Sequence, residues 1–504
     1  MGQREGLKIP AIFSTRAHKI TVAACFQRLA RGGWLRDTIL YAFAAFELRM
    51  RTLVFLLVLF MFEAGPALGR ESGIRADDLP AVISSALAGD TIVVSGGTCE
   101  ANLVLTRRLV LLGVNRPVIH GTGHGSVLTL LADSCVVRGF VIEHCGIMLV
   151  DEDAGILIKS AGNLIEDNDL RDILFGIYLF NADRNAAIGN RIVGRRHLEL
   201  GERGSGIHVW NSRANVFRRN VITDTRDGFY IQTASRTLIE DNTVYAVRYG
   251  LHYMYADSNV FLRNVFYDNV AGAAVMYSKD IVMRHNVFLK NRGFASFGIL
   301  FQDCHGLSAD SNVIADNVVG MFFEGSFGNS FHHNIIAQND VALEMFQNSV
   351  DNSFSDNNFV DNLSPLVLVG KKSGSQWTVG GRGNYWSTYD GYDIDGDGIG
   401  DIPMKIENVF QYLEGRNANV RLYLYSPASQ ALGLAAKAFP VMAISMEADR
   451  APLIRPLALE GMPAVQLTEN VRQSAGRGPA WALLPAGAVI GLGFLYRRLA
   501  GRKS

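Results

Sequence analysis

Apolar and polar positions alternate in short runs that recur every 22 residues through the middle of the chain. Each repeat is marked by an asparagine, followed two positions later by Ile, Leu, Val or Phe, with steps of 22, 30, 22, 22, 22, 26, 22 and 23 residues. A period of 22 is too short for two helices and is typical of a coil of short strands. The pattern predicts an all-β chain, a right-handed parallel β-helix of 22-residue coils over residues 70–365. The anchor asparagines are Asn168, Asn190, Asn220, Asn242, Asn264, Asn286, Asn312, Asn334 and Asn357.

A second asparagine often precedes the anchor by five positions, as at Asn163 and Asn215. Two columns in register predict ladders in which each amide bonds the equivalent residue of the next coil. Most anchors are followed by a glycine eight positions later, and the two longer coils take up their extra residues before that glycine, at about 194–205 and 290–297. Insertions at one fixed point of a repeat predict loops on one side of the array.

The strand after the repeat glycine has an unusual outward face. Its first and third positions are apolar and predict the core, so the second and fourth positions point outward. The outward residues are largely aromatic, with histidine and methionine in the central coils, although such a face is normally polar. Because stacked coils lie about 4.8 Å apart, these side chains form a contiguous exposed strip, which is typical of a binding surface.

Two interpretations of this strip are open. Imidazole and thioether ligands together suit Cu(I), a cation that prefers soft donors. The copper candidates are His208, His252, Met254 and Met276. The alternative is a partner-docking surface without metal, or packing beneath a loop. The predicted partner surface consists of Tyr178, Phe180, Trp210 and Tyr230.

A loop with four aspartates follows the coils, in residues 366–404, which we expect to form a short acidic cap. Carboxylates at positions 1, 3, 5 and 9 of a loop, with glycine at position 6, are typical of a calcium site. Met404 occupies position 12, where an EF-hand has glutamate, so a dockerin-like loop is the better analogue. The alternative is a glycine-rich turn with solvated aspartates. The calcium candidates are Asp393, Asp395, Asp397 and Asp401.

Hydrophobic segments at both ends predict export and anchoring. Residues 50–69 have the charged, apolar and small-residue order of a signal peptide, and residues 1–49 are either an over-extended start or a long leader. Residues 471–504 predict a C-terminal membrane anchor with a basic, cytoplasmic tail, because residues 479–496 carry no charge. The competing interpretation is a buried hydrophobic helix. Residues 405–470 predict amphipathic helices that form a docking region or cap the β-helix.

Composition argues against some classes of partner and metal site. With 48 basic and 48 acidic residues the formal net charge is zero, which argues against nucleic acid as a partner. The cysteines that follow the predicted signal peptide lack CxxC or zinc-type spacing. They predict buried thiols or one disulfide rather than a metal site. These cysteines are Cys99, Cys135, Cys145 and Cys304.

Several motifs resemble the NosD family. The segment Asn384–Pro403 resembles the signature that closes the β-helix in that family, and residues 151–156, 206–211, 248–255 and 275–278 resemble other family segments. The resemblance implies a periplasmic accessory protein of nitrous-oxide reductase maturation, without enzymatic activity. It further implies copper as cargo and three kinds of partner: an ABC transporter permease with its ATPase, a copper chaperone lipoprotein, and nitrous-oxide reductase.

The copper ligands do not come from this resemblance, and the His/Met strip is an inference from the residues alone. The C-terminal span, which would tether the chain to the inner membrane, departs from what we expect of many family members. The main alternative is a carbohydrate-active or carbohydrate-binding β-helix protein, although the carboxylate motifs of pectinases are absent in suitable places. A structural adhesin is a third reading, but it leaves the His/Met strip unexplained.

Overall fold

The computed structural model describes residues 71–293, 296–370, 372–406 and 447–458, with positions 420, 426, 427 and 431. Within these residues the chain winds as a parallel β-solenoid, and each coil gives one short strand to each of three parallel sheets. The first, second and third sheets, numbered by their order along a coil, hold 13, 13 and 12 strands. The predicted all-β parallel coil architecture is confirmed.

The strands of each sheet come from successive coils. The first sheet follows the earlier asparagine and contains Glu71–Ile74, Thr91–Ser95, Val110–Val114, Val136–Arg138, Leu164–Glu166, Ala186–Ile188, Val216–Arg218, Leu238–Glu240, Val260–Leu262, Val282–Arg284, Ser308–Asp310, Ser330–His332 and Ser353–Ser355. The second sheet follows the anchor asparagine and contains Thr98–Glu100, Val118–His120, Val141–Glu143, Asp169–Ile173, Arg191–Gly194, Val221–Thr223, Thr243–Tyr245, Val265–Tyr267, Val287–Leu289, Val313–Ala315, Ile335–Ala337, Asn358–Val360 and Tyr385–Trp386. The third sheet contains the repeat glycine and comprises Leu103–Leu105, Leu128–Leu130, Ala154–Ile158, Phe175–Phe180, Ile207–Trp210, Asp227–Gln232, Tyr249–Met254, Ala271–Met276, Phe297–Gln302, Val319–Glu324, Val341–Phe346 and Ser364–Val369.

Short helices accompany the coils at two places. A 3₁₀ turn at Ala76–Asp78 leads into the α-helix Leu79–Ser85, whose Leu79 and Ile83 join the hydrophobic core. A second 3₁₀ turn, Leu200–Glu202, lies in the longer of the two insertions. Both insertions fall between the second and third sheets, after Arg191–Gly194 and after Val287–Leu289, as the spacing predicted.

The core is a set of side-chain columns that only stacking can bury. In the short strands of the first sheet the central residue points inward, so Phe217, Ile239 and Phe261 lie one above another at 0% exposure. Full burial of such a side chain stabilises the fold by about 1.5–3 kcal/mol. A single coil has no second layer to cover this surface, so neighbouring coils depend on one another.

The predicted asparagine ladders are present. Asn264 Nδ2 donates to Asn286 Oδ1 at 2.9 Å and to the carbonyl of Ile239 at 2.8 Å, and the anchor ladder continues in this way from Asn168 to Asn384. The earlier column is interrupted where other residues replace asparagine. A third ladder follows the second sheet of the later coils. Its members are Asn269, Asn291, Asn317, Asn339 and Asn362.

The repeat glycine is required by close packing between coils. A Cβ on Gly250 would lie 2.5 Å from the carbonyl oxygen of Gly272 and 2.6 Å from Cδ1 of Phe266. Neither atom can move without shifting the coil, so no side chain fits at this corner.

The last coil extends beyond the boundary expected at residue 365. The third sheet ends at Val369, and the second sheet includes Tyr385–Trp386, so part of the 366–404 segment completes the solenoid. The chain then returns at residue 447, where Ala448–Asp449 pairs antiparallel with Met404–Lys405. The first described residues of the 405–470 segment and those from residue 447 therefore form a two-stranded antiparallel pair at one end of the solenoid.

Buried acidic residues fasten this returning segment. Asp449 is fully buried and accepts hydrogen bonds from the backbone N–H of Asn384 at 2.7 Å and from Trp386 Nε1 at 3.0 Å. Glu447 likewise accepts from Trp377 Nε1 at 2.8 Å. Charge-assisted bonds of this kind are about twice as strong as neutral ones.

The predicted leader, signal peptide and C-terminal anchor (residues 1–49, 50–69 and 471–504) lie outside the described residues, as does most of 405–470. Within the described part of the chain, we find no helix with the length and hydrophobicity needed to cross a bilayer.

Candidate metal centre

Two columns of side chains run along the outward face of the third sheet. The His column is Tyr178, His208, Tyr230, His252 and Ala274, one residue from each consecutive coil. The Met column is Phe180, Trp210, Gln232, Met254 and Met276. The intervening positions of the same strands are buried in the core, so the predicted inward and outward pattern is confirmed.

His208 is buried within an aromatic stack. Its ring lies between Tyr178, at 4.3 Å between centroids, and Tyr230, at 4.5 Å, and Phe175 meets its edge. The side chain is 7% exposed, and neither ring nitrogen has a hydrogen-bond partner. Burial, together with the nearby positive charge of Arg226, lowers the pKa of His208 to about 3. The ring is therefore neutral at any ordinary pH.

A buried carboxylate organises the next part of the His column. Asp227 is fully buried and accepts two hydrogen bonds from Arg248, at 2.9 and 2.8 Å, while Arg226 lies 3.6 Å away. Nδ1 of His252 lies 3.1 Å from the same carboxylate. Burial alone would raise the pKa of Asp227, but hydrogen bonds from His252 and Arg248 outweigh it and lower that pKa.

This contact fixes the ring of His252. Because Nδ1 faces a carboxylate, the contact favours the tautomer with the proton on Nδ1 and the lone pair on Nε2. A histidine held by a carboxylate at one nitrogen is the usual arrangement of a metal-binding imidazole. The arrangement was not expected from the sequence, where Asp227 is visible only as the residue before the repeat glycine.

The two methionines of the Met column are neighbours. Met254 and Met276 are Cα partners in consecutive coils, and both are half-buried. His252 and Met254 are two residues apart on one strand, about 6.6 Å, and consecutive coils are separated by about 4.8 Å. One imidazole and two thioethers thus emerge from adjacent positions in one patch of the sheet.

An aromatic pair borders this patch. Tyr255 and Tyr277 each follow a methionine of the Met column, and their exposed rings stack at 4.9 Å with 12° between planes. Both have positive φ, 49° and 52°, a conformation uncommon for a bulky residue. The same turn position has positive φ in neighbouring coils, at Asn211 and Thr233, so this conformation belongs to the coil repeat. The Met-Tyr pairs at 254–255 and 276–277, one period apart, are the sequence signal of this feature.

The structure thus unites three of the four copper candidates and separates the fourth. His208 lies two coils from His252, about 9.6 Å, with the ring of Tyr230 between them. The two histidines cannot share one ion in this arrangement. The remaining candidates, His252, Met254 and Met276, form what we call the HMM patch.

The predicted exposed strip is only partly exposed. Tyr178 is buried, and its hydroxyl donates to Glu152 at 2.6 Å, from the loop before Ala154–Ile158. Phe180 and Tyr230 are half-buried, and Trp210 is 37% exposed. The expectation that the whole strip is open is wrong for Tyr178 and His208, because a loop and the stacked rings cover them. Trp210 is the accessible member of the predicted partner surface.

The acidic loop brings three of its four calcium candidates together. One carboxylate oxygen from each of Asp393, Asp395 and Asp397 lies within 4.8 Å of the other two. Asp401 instead accepts a hydrogen bond from the backbone N–H of Ile394 at 2.6 Å. The carboxylates also accept bonds from the loop's own backbone, for example from Gly398 to Asp393 at 2.9 Å. Calcium binding stays a prediction.

The cysteines are buried thiols, which is one of the two expected alternatives. All four in the described residues are free and buried. Burial raises the pKa of Cys145 to about 11 and that of Cys304 to about 12, so both remain thiols. A neutral thiol is a poor ligand for a metal ion.

Comparisons with known proteins identify the family of this chain. Residues 184–391, which contain the HMM patch, match the family described as periplasmic copper-binding protein (NosD). A protein of Pseudomonas aeruginosa named probable ABC transporter binding protein NosD is 33% identical over 385 residues, covering 73% of this chain and 89% of the relative. The chain belongs to the NosD family. A second NosD, from Stutzerimonas stutzeri, is 30% identical over 355 residues, covering 67% of this chain and 80% of its own length.

Two solved structures among the matches to this NosD-family chain have low TM-scores. The A-module of the Azotobacter vinelandii mannuronan C-5 epimerase AlgE6 has a TM-score of 0.45 at 13% identity, covering 60% of this chain and 93% of its own. An alginate lyase from Paenibacillus has a TM-score of 0.40 at 18% identity, covering 48% and 94%. Likeness at this level concerns the fold and carries no argument about chemistry.

Proposed function

We propose that this protein carries Cu(I) outside the cytoplasm and presents it for maturation of the copper centres of nitrous-oxide reductase. Membership in a family described as periplasmic copper-binding supports copper as the cargo. The HMM patch is the observation that carries the proposal, because it is a half-buried set of one imidazole and two thioethers on adjacent coils. Donors of this softness favour Cu(I) over divalent ions.

The chain's own residues would prepare this site without a conformational change. Asp227 holds Nδ1 of His252, which leaves Nε2 to bind the ion. The β-strand backbone fixes the spacing of the thioethers, and the flexible methionine side chains can adapt to cargo that must arrive and leave. A site of three ligands, partly open to solvent, suits transfer better than permanent storage.

We propose that partners approach from the same face. Trp210, Tyr255 and Tyr277 are the exposed aromatic residues beside the HMM patch. Exposed aromatic side chains are typical anchors of a protein interface. The relatives are named as ABC transporter binding proteins, so a transporter permease with its ATPase is the proposed docking partner, with a copper chaperone lipoprotein as donor and the reductase as acceptor.

Tethering to the inner membrane through residues 471–504 and export through residues 50–69 remain part of the proposal. Both rest on the sequence pattern of the two termini.

Cu(I) binding to the full chain, measured by competition with a chelator of known affinity under anaerobic conditions, tests the site. The triple variant His252→Ala/Met254→Ala/Met276→Ala is expected to lose tight binding. The matched control is Gln302→Ala, which removes the next member of the Met column and is expected to bind as wild type. Equal binding by wild type and the triple variant would move the ligands elsewhere and contradict the proposed site.

The maturation role needs a separate readout. The copper content of nitrous-oxide reductase is measured in cells that carry either the triple variant or wild type as their only copy. In cells that contain the triple variant at the same level as wild type, we expect the reductase to hold little copper. Fully loaded reductase in those cells would remove the maturation role even if Cu(I) binding in vitro is real.

A further inference from the structure

A second cluster of ligand-type side chains lies on the first sheet, away from the HMM patch. It consists of Asp310, His332 and His333, and one ligand atom of each lies within 4.8 Å of those of the other two. Asp310 and His332 are Cα partners in consecutive coils, and His333 follows in the turn with φ of 55°. That turn brings the side chain of His333 to the Asp310 carboxylate, which the side chain of His332 also approaches.

The contacts of this cluster are long for charge-assisted hydrogen bonds. Nδ1 of His332 lies 3.4 Å and Nδ1 of His333 lies 3.3 Å from the same oxygen, Oδ1 of Asp310. The hydroxyl of Ser311 also donates to that oxygen, at 3.0 Å. Three donors therefore converge on one atom, and charge-assisted N–H···O bonds are normally about 2.7–2.9 Å long.

Carboxylates elsewhere on the outside of the first sheet are paired with arginine at short distances. Glu240 lies 2.5 Å from Arg218, and Asp241 lies 2.7 Å from Arg263. In the coils of Asp310 and His332 two histidines take the place of such a pair. Arg284 faces the other oxygen of Asp310 at 3.6 Å, a longer contact than those pairs.

The observed spacings match those between ligands of a small metal ion. With metal–ligand bonds of about 2.0–2.1 Å, neighbouring ligand atoms of a tetrahedral site lie about 3.3–3.4 Å apart. The two Nδ1–Oδ1 distances have this value. Side-chain exposures of 22% for Asp310, 33% for His332 and 49% for His333 leave the cluster open to entry from solvent.

We propose that Asp310, His332 and His333 form a binding site for a divalent transition-metal ion, with Zn²⁺ as the representative. Two imidazoles and a carboxylate suit ions of borderline softness. The cluster offers no thioether or thiolate for Cu(I), and its two nitrogen donors disfavour Ca²⁺. Arg284 would act as an outer partner that orients the carboxylate, and the fourth position would be filled from solvent.

Zn²⁺ binding to the full chain by calorimetry, in the presence of excess Ca²⁺ to occupy the acidic loop, tests this site. Wild type is expected to show one tight event. His332→Asn/His333→Asn and Asp310→Asn are each expected to weaken it about a hundredfold or more. Met254→Ala/Met276→Ala is the matched control and should bind Zn²⁺ as wild type.

A second readout distinguishes a built site from loss of fold. Co²⁺ in place of Zn²⁺ should give the intense visible bands of tetrahedral coordination, and these should be absent from the histidine double variant. Far-ultraviolet circular dichroism and Cu(I) affinity of that variant should match wild type, since the HMM patch shares no residue with this cluster. Wild-type Zn²⁺ affinity in the double variant, or absence of a tight event in wild type, would overturn the proposal.

Discussion

The most informative single substitution is His208→Phe, because His208 is a buried histidine without a hydrogen-bond partner. In the folded chain its pKa is lowered to about 3, first by burial and then by Arg226, whereas an unfolded histidine has a pKa of about 6.5. Between these two values the unfolded state binds one more proton than the folded state. Stability is therefore fully present above pH 6.5 and declines as the pH falls below it.

The size of the effect follows from the two pKa values. At pH 5 the uptake of a proton by the unfolded chain costs the folded state about 2 kcal/mol relative to pH 7.5. Phenylalanine keeps the aromatic stack with Tyr178 and Tyr230 and removes both the titration and two buried ring nitrogens without partners. We expect the variant to be at least as stable as wild type at pH 7.5 and about 2 kcal/mol more stable than wild type at pH 5.

Urea unfolding followed by circular dichroism at the two pH values measures this difference. The control is Tyr230→Phe, which changes the neighbouring ring but keeps His208 and should keep the wild-type dependence on pH. Equal loss of stability in wild type and His208→Phe on acidification would refute the reasoning. Cu(I) affinity should be unchanged in His208→Phe, and a large loss would return this residue to the copper site.

Three further predictions concern other parts of the solenoid. Asp227→Asn should lower Cu(I) affinity about 10–100-fold and the free energy of unfolding by about 2–4 kcal/mol. Glu240→Gln, the control, should lower the free energy of unfolding but leave Cu(I) affinity unchanged. Equal Cu(I) affinities of Asp227→Asn and wild type would contradict the role of Asp227. Asn264→Ala leaves the bonded groups of two neighbouring coils without partners and should cost about 3–5 kcal/mol in urea unfolding, and a loss below about 1 kcal/mol would mean the ladder is dispensable. Calcium at a hundred times its dissociation constant should stabilise the chain by about 2.7 kcal/mol, seen as a higher melting temperature that Asp395→Asn abolishes; an unchanged melting temperature in wild type would argue for a turn without calcium.

The coil architecture was predictable because the same residue types recur at a nearly fixed period. Asn264, Gly250 and the buried Phe261 stand at fixed phases of the repeat. Their physical roles are those of a ladder amide, a contact too close for Cβ, and a core side chain. The third asparagine ladder was not predicted from the sequence, because it begins only at Asn269, in the later coils.

The site was less predictable because burial of outward residues depends on neighbours distant in sequence. The alternation places Tyr178 and His208 outside the core, but Glu152 binds the first, and stacked rings enclose the second. The role of Asp227 could not be inferred, since its partner Arg248 lies one coil later and the ion pair forms only when coils stack. Asp310 joins two histidines that lie one coil later in the sequence, so this cluster forms only when the coils stack.

X-ray absorption at the copper edge of the Cu(I)-loaded full chain tests the central claim most directly, because it counts the donor atoms around the bound ion. One imidazole nitrogen and two thioether sulfurs are predicted, from His252, Met254 and Met276. The sulfur contribution should disappear in Met254→Ala/Met276→Ala. A spectrum with nitrogen and oxygen donors only, or sulfur donors that persist in that variant, would contradict the proposed copper site.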